Sequence, residues 1–202
     1  RSCVGEVGAT SLIVLNHIDV SLLSKLSFID FIIKKSYLSI DREALWKVLK
    51  WYGFSSKLIQ ILQSLYSIAW HAVRVNGELT EWFEVKNGVE QGCILSPILF
   101  ALYLENILSN SLSNIGGGCM ISGQIINHLD FADDIVMIMP MEECNQEAAN
   151  NLYTTARKWG LKMNEQKTKL MVTSKIKKQA KLVINGGNTE QVDSFCYLGP
   201  II

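Results

Sequence analysis

The chain has 202 residues, of which 49% are apolar, and its 19 basic residues balance its 19 acidic ones. This length suits one domain with a sizeable core, or one domain and a fragment of another. No run of about eighteen apolar residues occurs, which excludes a membrane-spanning helix. The formal net charge of zero counts against an autonomous nucleic-acid binder, because such proteins usually carry a clear basic excess.

Cysteine spacing argues against a zinc site and against a disulfide framework. The cysteines are far apart and include no Cys-x-x-Cys pair; they are Cys3, Cys93, Cys119, Cys144 and Cys196. A reducing compartment is therefore expected. Both ends look cut, because the chain starts at Arg1 and stops within the apolar stretch Tyr197–Ile202. We expect a piece of a longer open reading frame.

The first clear element in chain order is a buried strand. Residues 1–25 contain apolar residues at helical spacing but no convincing capping signal, whereas Leu26–Ile33 predicts a buried strand that contains Asp30. A lone carboxylate among apolar strand residues is costly to bury unless it is paired or bound to a cation. Asp30 is therefore a candidate functional residue.

Two helices are predicted next. Asp41 is a suitable N-cap for a helix that ends at Gly53, and Ser55 or Ser56 opens the following helix. Their apolar stripes are ordinary core positions and carry no predicted chemistry.

A hairpin and a glycine loop follow. The pair Asn76-Gly77 is a strong hairpin signal, with Glu81–Val85 as the predicted partner strand. Gly88–Gly92 is predicted to be a loop, and Ser96 is predicted to cap a helix that has Pro97 at its first position.

The most informative stretch is Phe131–Asp134, which lies between two apolar runs. This pattern predicts two strands that meet at a turn, with the second strand buried on both faces and Asp133 and Asp134 at the tip. Adjacent carboxylates repel each other, and a hard divalent cation bound through oxygen would compensate them. The alternative is ordinary turn chemistry, since Asp favours turns on its own account.

The remaining elements complete an α+β pattern. A helix is predicted from Glu142 to Gly160, then short strands at Leu170–Thr173, Leu182–Ile184 and Phe195–Leu198, with a turn at Gly186-Gly187. The mixed order predicts a sheet with helices packed mainly on one face. Basic residues cluster towards the C-terminus, where a solvated surface is favoured over a phosphate track. They are Lys167, Lys169, Lys175, Lys177, Lys178 and Lys181.

If the strand of Asp30 neighbours the hairpin, the three carboxylates of Asp30, Asp133 and Asp134 converge. Two magnesium ions about 3.5–4 Å apart would then neutralise them and clamp an in-line phosphoryl displacement. No histidine cluster or cysteine pair is expected to compete as a metal site. Each of the three histidines, His17, His71 and His128, is expected to be an ordinary surface or packed residue.

An ordered set of motifs resembles the palm of reverse transcriptases, most closely those of non-LTR (LINE-type) retrotransposons. It covers roughly residues 26 to 199 and consists of Phe28–Phe31, Asp41–Trp46, Val73–Glu78 with Gly88–Pro97, Phe131–Asp134, Gly160–Thr168 and Phe195–Gly199. A lone Asp-Asp pair is weak, but the ordered set is specific. The resemblance implies a polymerase palm-like antiparallel sheet. It also implies a division into a remnant of the fingers at residues 1–25 and a palm with a primer-grip strand at residues 26–202, without a thumb.

The resemblance also implies an RNA-directed DNA polymerase with a role for each matching residue. Asp30, Asp133 and Asp134 would hold two Mg²⁺, with Mn²⁺ as a possible substitute. Lys167 would be a proton donor or counter-charge for pyrophosphate, and Tyr37 would be the gate against a ribose 2′-hydroxyl. Gln91 and Gly92 would contact the nucleotide and template, and Phe131 and Ala132 would lie beside the primer end. The primer grip would be formed by Tyr197, Leu198 and Gly199. The implied partners are an RNA template, a DNA primer, deoxynucleoside triphosphates and the rest of a retrotransposon polyprotein. The implied setting is intracellular, in the nucleus or a cytoplasmic ribonucleoprotein, and without a membrane.

The sequence also departs from the family pattern. Two residues are added between Asp30 and Tyr37, and Glu90 stands where the family usually has Arg. Such an insertion shifts the following residues by about 6–7 Å along the strand unless it bulges. The alternative to an active polymerase is therefore a decayed, non-catalytic palm with weak nucleic-acid binding, and the geometry around Asp30 is expected to discriminate between them.

Overall fold

A six-stranded sheet forms the centre of the protein, whose computed structural model describes residues 26–67, 69–121, 123–139, 142–173 and 179–199. The sheet strands are β1 (Ser27–Lys34), β8 (His128–Phe131), β9 (Asp134–Met139), β10 (Lys162–Met163), β11 (Lys169–Val172) and β14 (Glu190–Val192). Their spatial order is β14, β11, β1, β9 and β8, and β10 pairs with β1 beyond the end of β11. All pairings are antiparallel except that of β11 with β14. This confirms the predicted α+β class with a largely antiparallel sheet.

Among the residues that the structure describes, four helices pack on one face of this sheet or on one another. They are α1 (Arg42–Trp51), α2 (Ser56–Tyr66), α3 (Ser96–Leu112) and α4 (Glu142–Lys158), preceded by a 3-10 turn at Ser36–Ser39. The predicted caps form: Asp41 accepts a hydrogen bond from the Ala44 amide at 3.0 Å, and Ser55 accepts one from the Leu58 amide at 3.3 Å. None of the helices in the described ranges is long and apolar enough to cross a membrane.

The alternation of β1 divides the interior into two cores. Its odd residues, Ile29, Phe31 and Ile33, belong to the larger core between the sheet and the helices. Phe28 lies on the other face, in a smaller core that also contains Tyr197. The buried sequence of β9 supplies both cores, as its continuous apolar run predicts.

The described part of the chain also forms four short two-stranded ribbons. They pair β2 (Trp70–His71) with β5 (Phe83–Glu84), β3 (Arg74–Val75) with β4 (Glu78–Leu79), β6 (Cys119–Ile121) with β7 (Gln124–Ile126), and β12 (Val183–Ile184) with β13 (Gly187–Asn188).

Three local predictions were wrong. Glu81–Val85 does not pair across Asn76-Gly77, because positive φ at both turn residues closes a two-residue turn on Glu78–Leu79. Similarly, the later turn is Asn185-Gly186, and Gly187 is already in β13. The predicted strand at Phe195–Leu198 is not formed beyond an isolated bridge, and β14 precedes it.

Candidate active site

The predicted acidic hairpin is present, with Ala132 and Asp133 as its two-residue turn. Phe131 pairs with Asp134 in register, and Ala132 has φ 53°, a left-handed conformation that costs a non-glycine residue about 1 kcal/mol. The Asp133 carbonyl accepts a hydrogen bond from the Ile33 amide at 3.0 Å. The tip of the hairpin is therefore anchored to β1, the strand that carries Asp30.

Asp30 and Asp134 lie on the same face of the sheet. Asp30 pairs with Val136, and residues directly opposite each other in a sheet project to the same side. Asp134 is two residues from Val136 in β9, so its side chain projects to that side as well. The strand register therefore places two of the three predicted carboxylates on one face.

Burial and a neighbouring carboxylate raise the pKa of Asp30 and of Asp134. Asp30 is 8% exposed, and burial, followed by the charge of Asp134, raises its pKa from 3.8 to about 6, although Lys169 opposes the rise. Burial also raises the pKa of Asp134, Asp133 adds to the effect, and Lys167 opposes it. A bound divalent cation would relieve this repulsion.

The two-residue insertion after Asp30 does not form a bulge. Pairing of β1 with β9 runs without interruption from Ser27 to Ile32, and β1 continues to Lys34. The chain then turns at Lys35, which has φ 50°, into the 3-10 turn. The insertion follows Asp30 in the chain and leaves the pairing of Asp30 with Val136 unchanged.

Tyr37 and the glycine loop are held together. The Tyr37 ring packs on Phe100 with centroids 5.1 Å apart, and its carbonyl accepts a hydrogen bond from the Val89 amide at 2.8 Å. Gly88 has φ +82°, and a Cβ there would lie 2.7 Å from the Cα of Leu38. Only glycine fits this approach without strain.

A cavity of about 270 Å³ opens between the glycine loop Gly88–Gly92 and the ribbon of β2 and β5. It is lined by Leu38, Arg42, His71, Val85, Val89, Glu90 and Gln91. Glu90 Oε1 lies 3.3 Å from His71 Nε2, and its backbone carbonyl accepts a hydrogen bond from Ser96 Oγ at 2.6 Å. Ser96 therefore ties the helix to the loop instead of capping it, which corrects the prediction. Gly92 is exposed and has φ +95°.

The predicted primer-grip segment lies against the acidic face. Tyr197 is buried in the smaller core, and its hydroxyl has no hydrogen-bond partner among the described residues. Burial raises the pKa of this hydroxyl, and the charges of Asp130, Asp134 and Asp30 add to the rise. Leu198 and Gly199, both with positive φ, turn the chain after it. Phe131, which pairs with Asp134, is 49% exposed on the same face.

Two lysines lie near the carboxylates. Lys167 is exposed in a turn closed by its amide and the Asn164 carbonyl at 3.0 Å, and it acts on Asp134. Lys169 pairs with Asp30 across β1 and β11. Lys169 was predicted to belong to a solvated basic cluster and not to this site, because the pairing of β1 with β11 is not visible from local residues. Lys175, Lys177 and Lys178 lie outside the described residues.

Sequence reasoning missed a second group of metal-ligating side chains. Within the described ranges, one group of three or more has all its ligand atoms within 4.8 Å of one another, namely Glu105, His128 and Asp130. The oxygens of Asp30, Asp133 and Asp134 are spread more widely. This group contains one histidine and two carboxylates, and the alternation His128-x-Asp130 in a strand was the available signal for it.

The chain matches the family of reverse transcriptases (RNA-dependent DNA polymerases) over residues 15–202. It is 27% identical over 138 residues to the retrovirus-related Pol polyprotein from the type-1 retrotransposable element R2 of Popillia japonica. It is 29% identical over 135 residues to that from the type-2 element R2DM of Drosophila melanogaster. Each alignment covers 67% of this chain but only 22% and 13% of these relatives, respectively.

Solved telomerase structures share the fold. Apo telomerase from Candida tropicalis gives a TM-score of 0.64 at 16% identity, covering 96% of this chain and 32% of that one. Telomerase from Candida albicans, in complex with a fragment of telomeric RNA, gives 0.57 at 15% identity, covering 91% and 31%. The palm-like sheet, the ordered motifs and the family match agree. The chain therefore belongs to the reverse transcriptase family, as a domain of the non-LTR retrotransposon type.

Proposed function

We propose that this chain is the palm of an RNA-directed DNA polymerase in which Asp30, Asp133 and Asp134 hold two Mg²⁺ ions. The observation that carries the proposal is the position of Asp30, a buried carboxylate on the same face as Asp134 with a raised pKa. Oxygen ligands of this charge suit a hard cation such as Mg²⁺. When bound, the ions stabilise charge during in-line displacement of pyrophosphate.

The remaining residues would bind and orient the reactants. Phe131 offers an exposed ring beside Asp134 for the primer end, with Ala132 at the turn, and Tyr197–Gly199 supports that side as the primer grip. Lys167 supplies a positive charge near Asp134 that can neutralise or protonate the leaving pyrophosphate.

On the other side of the 3-10 turn, the loop that contains Gln91 and Gly92 would contact the nucleotide and template. Its firm attachment to the turn of Tyr37 supports a role for that ring as the 2′-hydroxyl gate. The proposed partners are an RNA template, a DNA primer, deoxynucleoside triphosphates and the rest of a polyprotein. By family analogy, we propose an intracellular setting in the nucleus or a cytoplasmic ribonucleoprotein.

The second candidate is a non-catalytic palm with weak nucleic-acid binding. Two observations favour it: the three aspartates are not gathered within 4.8 Å, and Glu90 adds a negative charge to the cavity beside the loop.

Primer extension discriminates between the two. The 202-residue chain, in excess over poly(rA)/oligo(dT), is incubated with dTTP and Mg²⁺. We expect slow, non-processive addition, and a loss of about 100-fold or more in Asp133→Asn, because an amide cannot replace a carboxylate ligand. Asp41→Asn is the matched control, since Asn caps a helix as well as Asp does.

Addition that survives in Asp133→Asn would overturn the metal assignment. No addition by a chain that circular dichroism shows to be folded would overturn catalysis and favour the second candidate.

A further inference from the structure

Glu105, His128 and Asp130 lie on the side of the sheet opposite Asp30 and Asp134. His128 and Asp130 pair in register with Met137 and Ile135, which pack in the larger core against the helices. Glu105 projects from α3 towards them, and one ligand atom of each residue lies within 4.8 Å of the others. The group thus connects the edge strand β8 to a helix.

The orientation of the His128 ring leaves one nitrogen free to bind a metal. Its Nδ1 lies 2.8 Å from Oδ1 of Asn127, an oxygen that can only accept, so Nδ1 carries the proton. Nε2 then presents a lone pair, 3.9 Å from Oδ1 of Asp130. This distance is too long for a hydrogen bond. A histidine held by one nitrogen and free at the other is the usual arrangement of a metal ligand.

Charge and burial favour a cation at this point. Asp130 and His128 are half-buried, and Glu105 is exposed. Burial raises the pKa of Asp130, His128 opposes the rise, and Glu105 adds to it. Ser109 Oγ donates a hydrogen bond to Glu105 Oε1 at 3.1 Å and leaves the other carboxylate oxygen available.

We propose that Glu105, His128 and Asp130 bind a divalent transition-metal ion of the Zn²⁺ class, which ties β8 to α3. An imidazole ligand selects Zn²⁺ or Co²⁺ over Mg²⁺, which prefers oxygen alone. Ligand atoms around a tetrahedral ion with bonds near 2.0 Å are about 3.3 Å apart, so the group must contract slightly. The exposed Glu105 side chain can rotate at little cost, and three protein ligands leave one position for water.

Titration of the 202-residue chain with Co²⁺ tests the site. We expect one equivalent to give visible d–d absorption, and Zn²⁺ to displace it and raise the melting temperature. His128→Gln should weaken binding at least tenfold, and Asn127→Ala, which removes the group that positions the ring, should weaken it about 10-fold. His71→Gln, at a half-buried histidine that also lies beside a glutamate, is the matched control and should bind as wild type.

The site would be overturned by absorption unchanged in His128→Gln and Asn127→Ala, or by a near-ultraviolet band of thiolate-to-cobalt charge transfer, which would assign the ion to cysteine. The double variant Asp30→Asn/Asp134→Asn should retain Co²⁺ binding. Loss of binding there would assign the ion to the proposed polymerase site instead. Failure of primer extension leaves this inference unaffected, since the two groups lie on opposite faces of the sheet.

Discussion

The two faces of the central sheet carry different properties of the protein. The face towards the helices is lined by apolar residues such as Ile29, Phe31 and Met137, which are essentially inaccessible. The opposite face has a smaller core that gives way to carboxylates, an exposed Phe131 and the Tyr197 hydroxyl, which has no partner in the described part of the chain. Because its side chains alternate, the single strand β1 contributes Ile29 and Phe31 to the first face and Asp30 to the second. Stability and the proposed chemistry should therefore respond to different substitutions within the same short strands.

Two phenylalanines separate the faces most strongly. Phe31→Ala, in the larger core, should cost about 3–5 kcal/mol in the free energy of unfolding, because it removes a buried ring and leaves a cavity. Phe131→Ala is the matched control. Its ring is 49% exposed, so the expected cost is below about 1 kcal/mol, while primer extension should fall. Urea unfolding measures both, and equal costs would contradict the division.

Gly88→Ala tests how firmly the glycine loop is held to the turn after β1. A Cβ would meet the Leu38 backbone at 2.7 Å with φ +82°, so we expect a loss of about 1–3 kcal/mol. Gly77→Ala has φ +93° but nothing within 4 Å, and it should cost only about 1 kcal/mol for the backbone conformation. Thermal unfolding compares them, and an equal loss would show that the close approach is not tight.

Tyr197→Phe is expected to have the smallest effect, and it should be stabilising. The hydroxyl is buried without a partner among the described residues, and removing such a group returns about 1 kcal/mol. If primer extension falls while stability rises, the hydroxyl acts on a reactant. A destabilised variant would show that the hydroxyl has a partner in solution.

Local signals predicted the parts of the fold that depend on neighbouring residues. The caps at Asp41 and Ser55, the turn at Asn76-Gly77 and the central hairpin all follow from short-range chemistry. Strand pairing between distant segments does not, which is why the position of Lys169 opposite Asp30 was not foreseen.

The candidate site was predictable to a similar degree. The pattern of apolar residues predicted buried strands for Asp30 and the hairpin. That Asp30 and Asp134 share a face depends on the register of β1 with β9, which the pattern does not specify. The group of Glu105, His128 and Asp130 combines a helix with a strand far along the chain. No local pattern specifies that meeting, since it results from how α3 packs on the sheet.

The most direct test of the acidic face is the pH dependence of stability of wild type and Asp30→Asn, with and without Mg²⁺. The Asp30 carboxyl has a pKa of 3.8 when unfolded and about 6 when folded. Its ionisation therefore opposes folding increasingly from about pH 4 to about pH 6 and fully above that. Without Mg²⁺, Asp30→Asn should melt higher than wild type at about pH 8 and equally at about pH 3. Mg²⁺ should raise the melting temperature of wild type but not of the variant, whereas a difference that is independent of both pH and Mg²⁺ would contradict a cation site at Asp30.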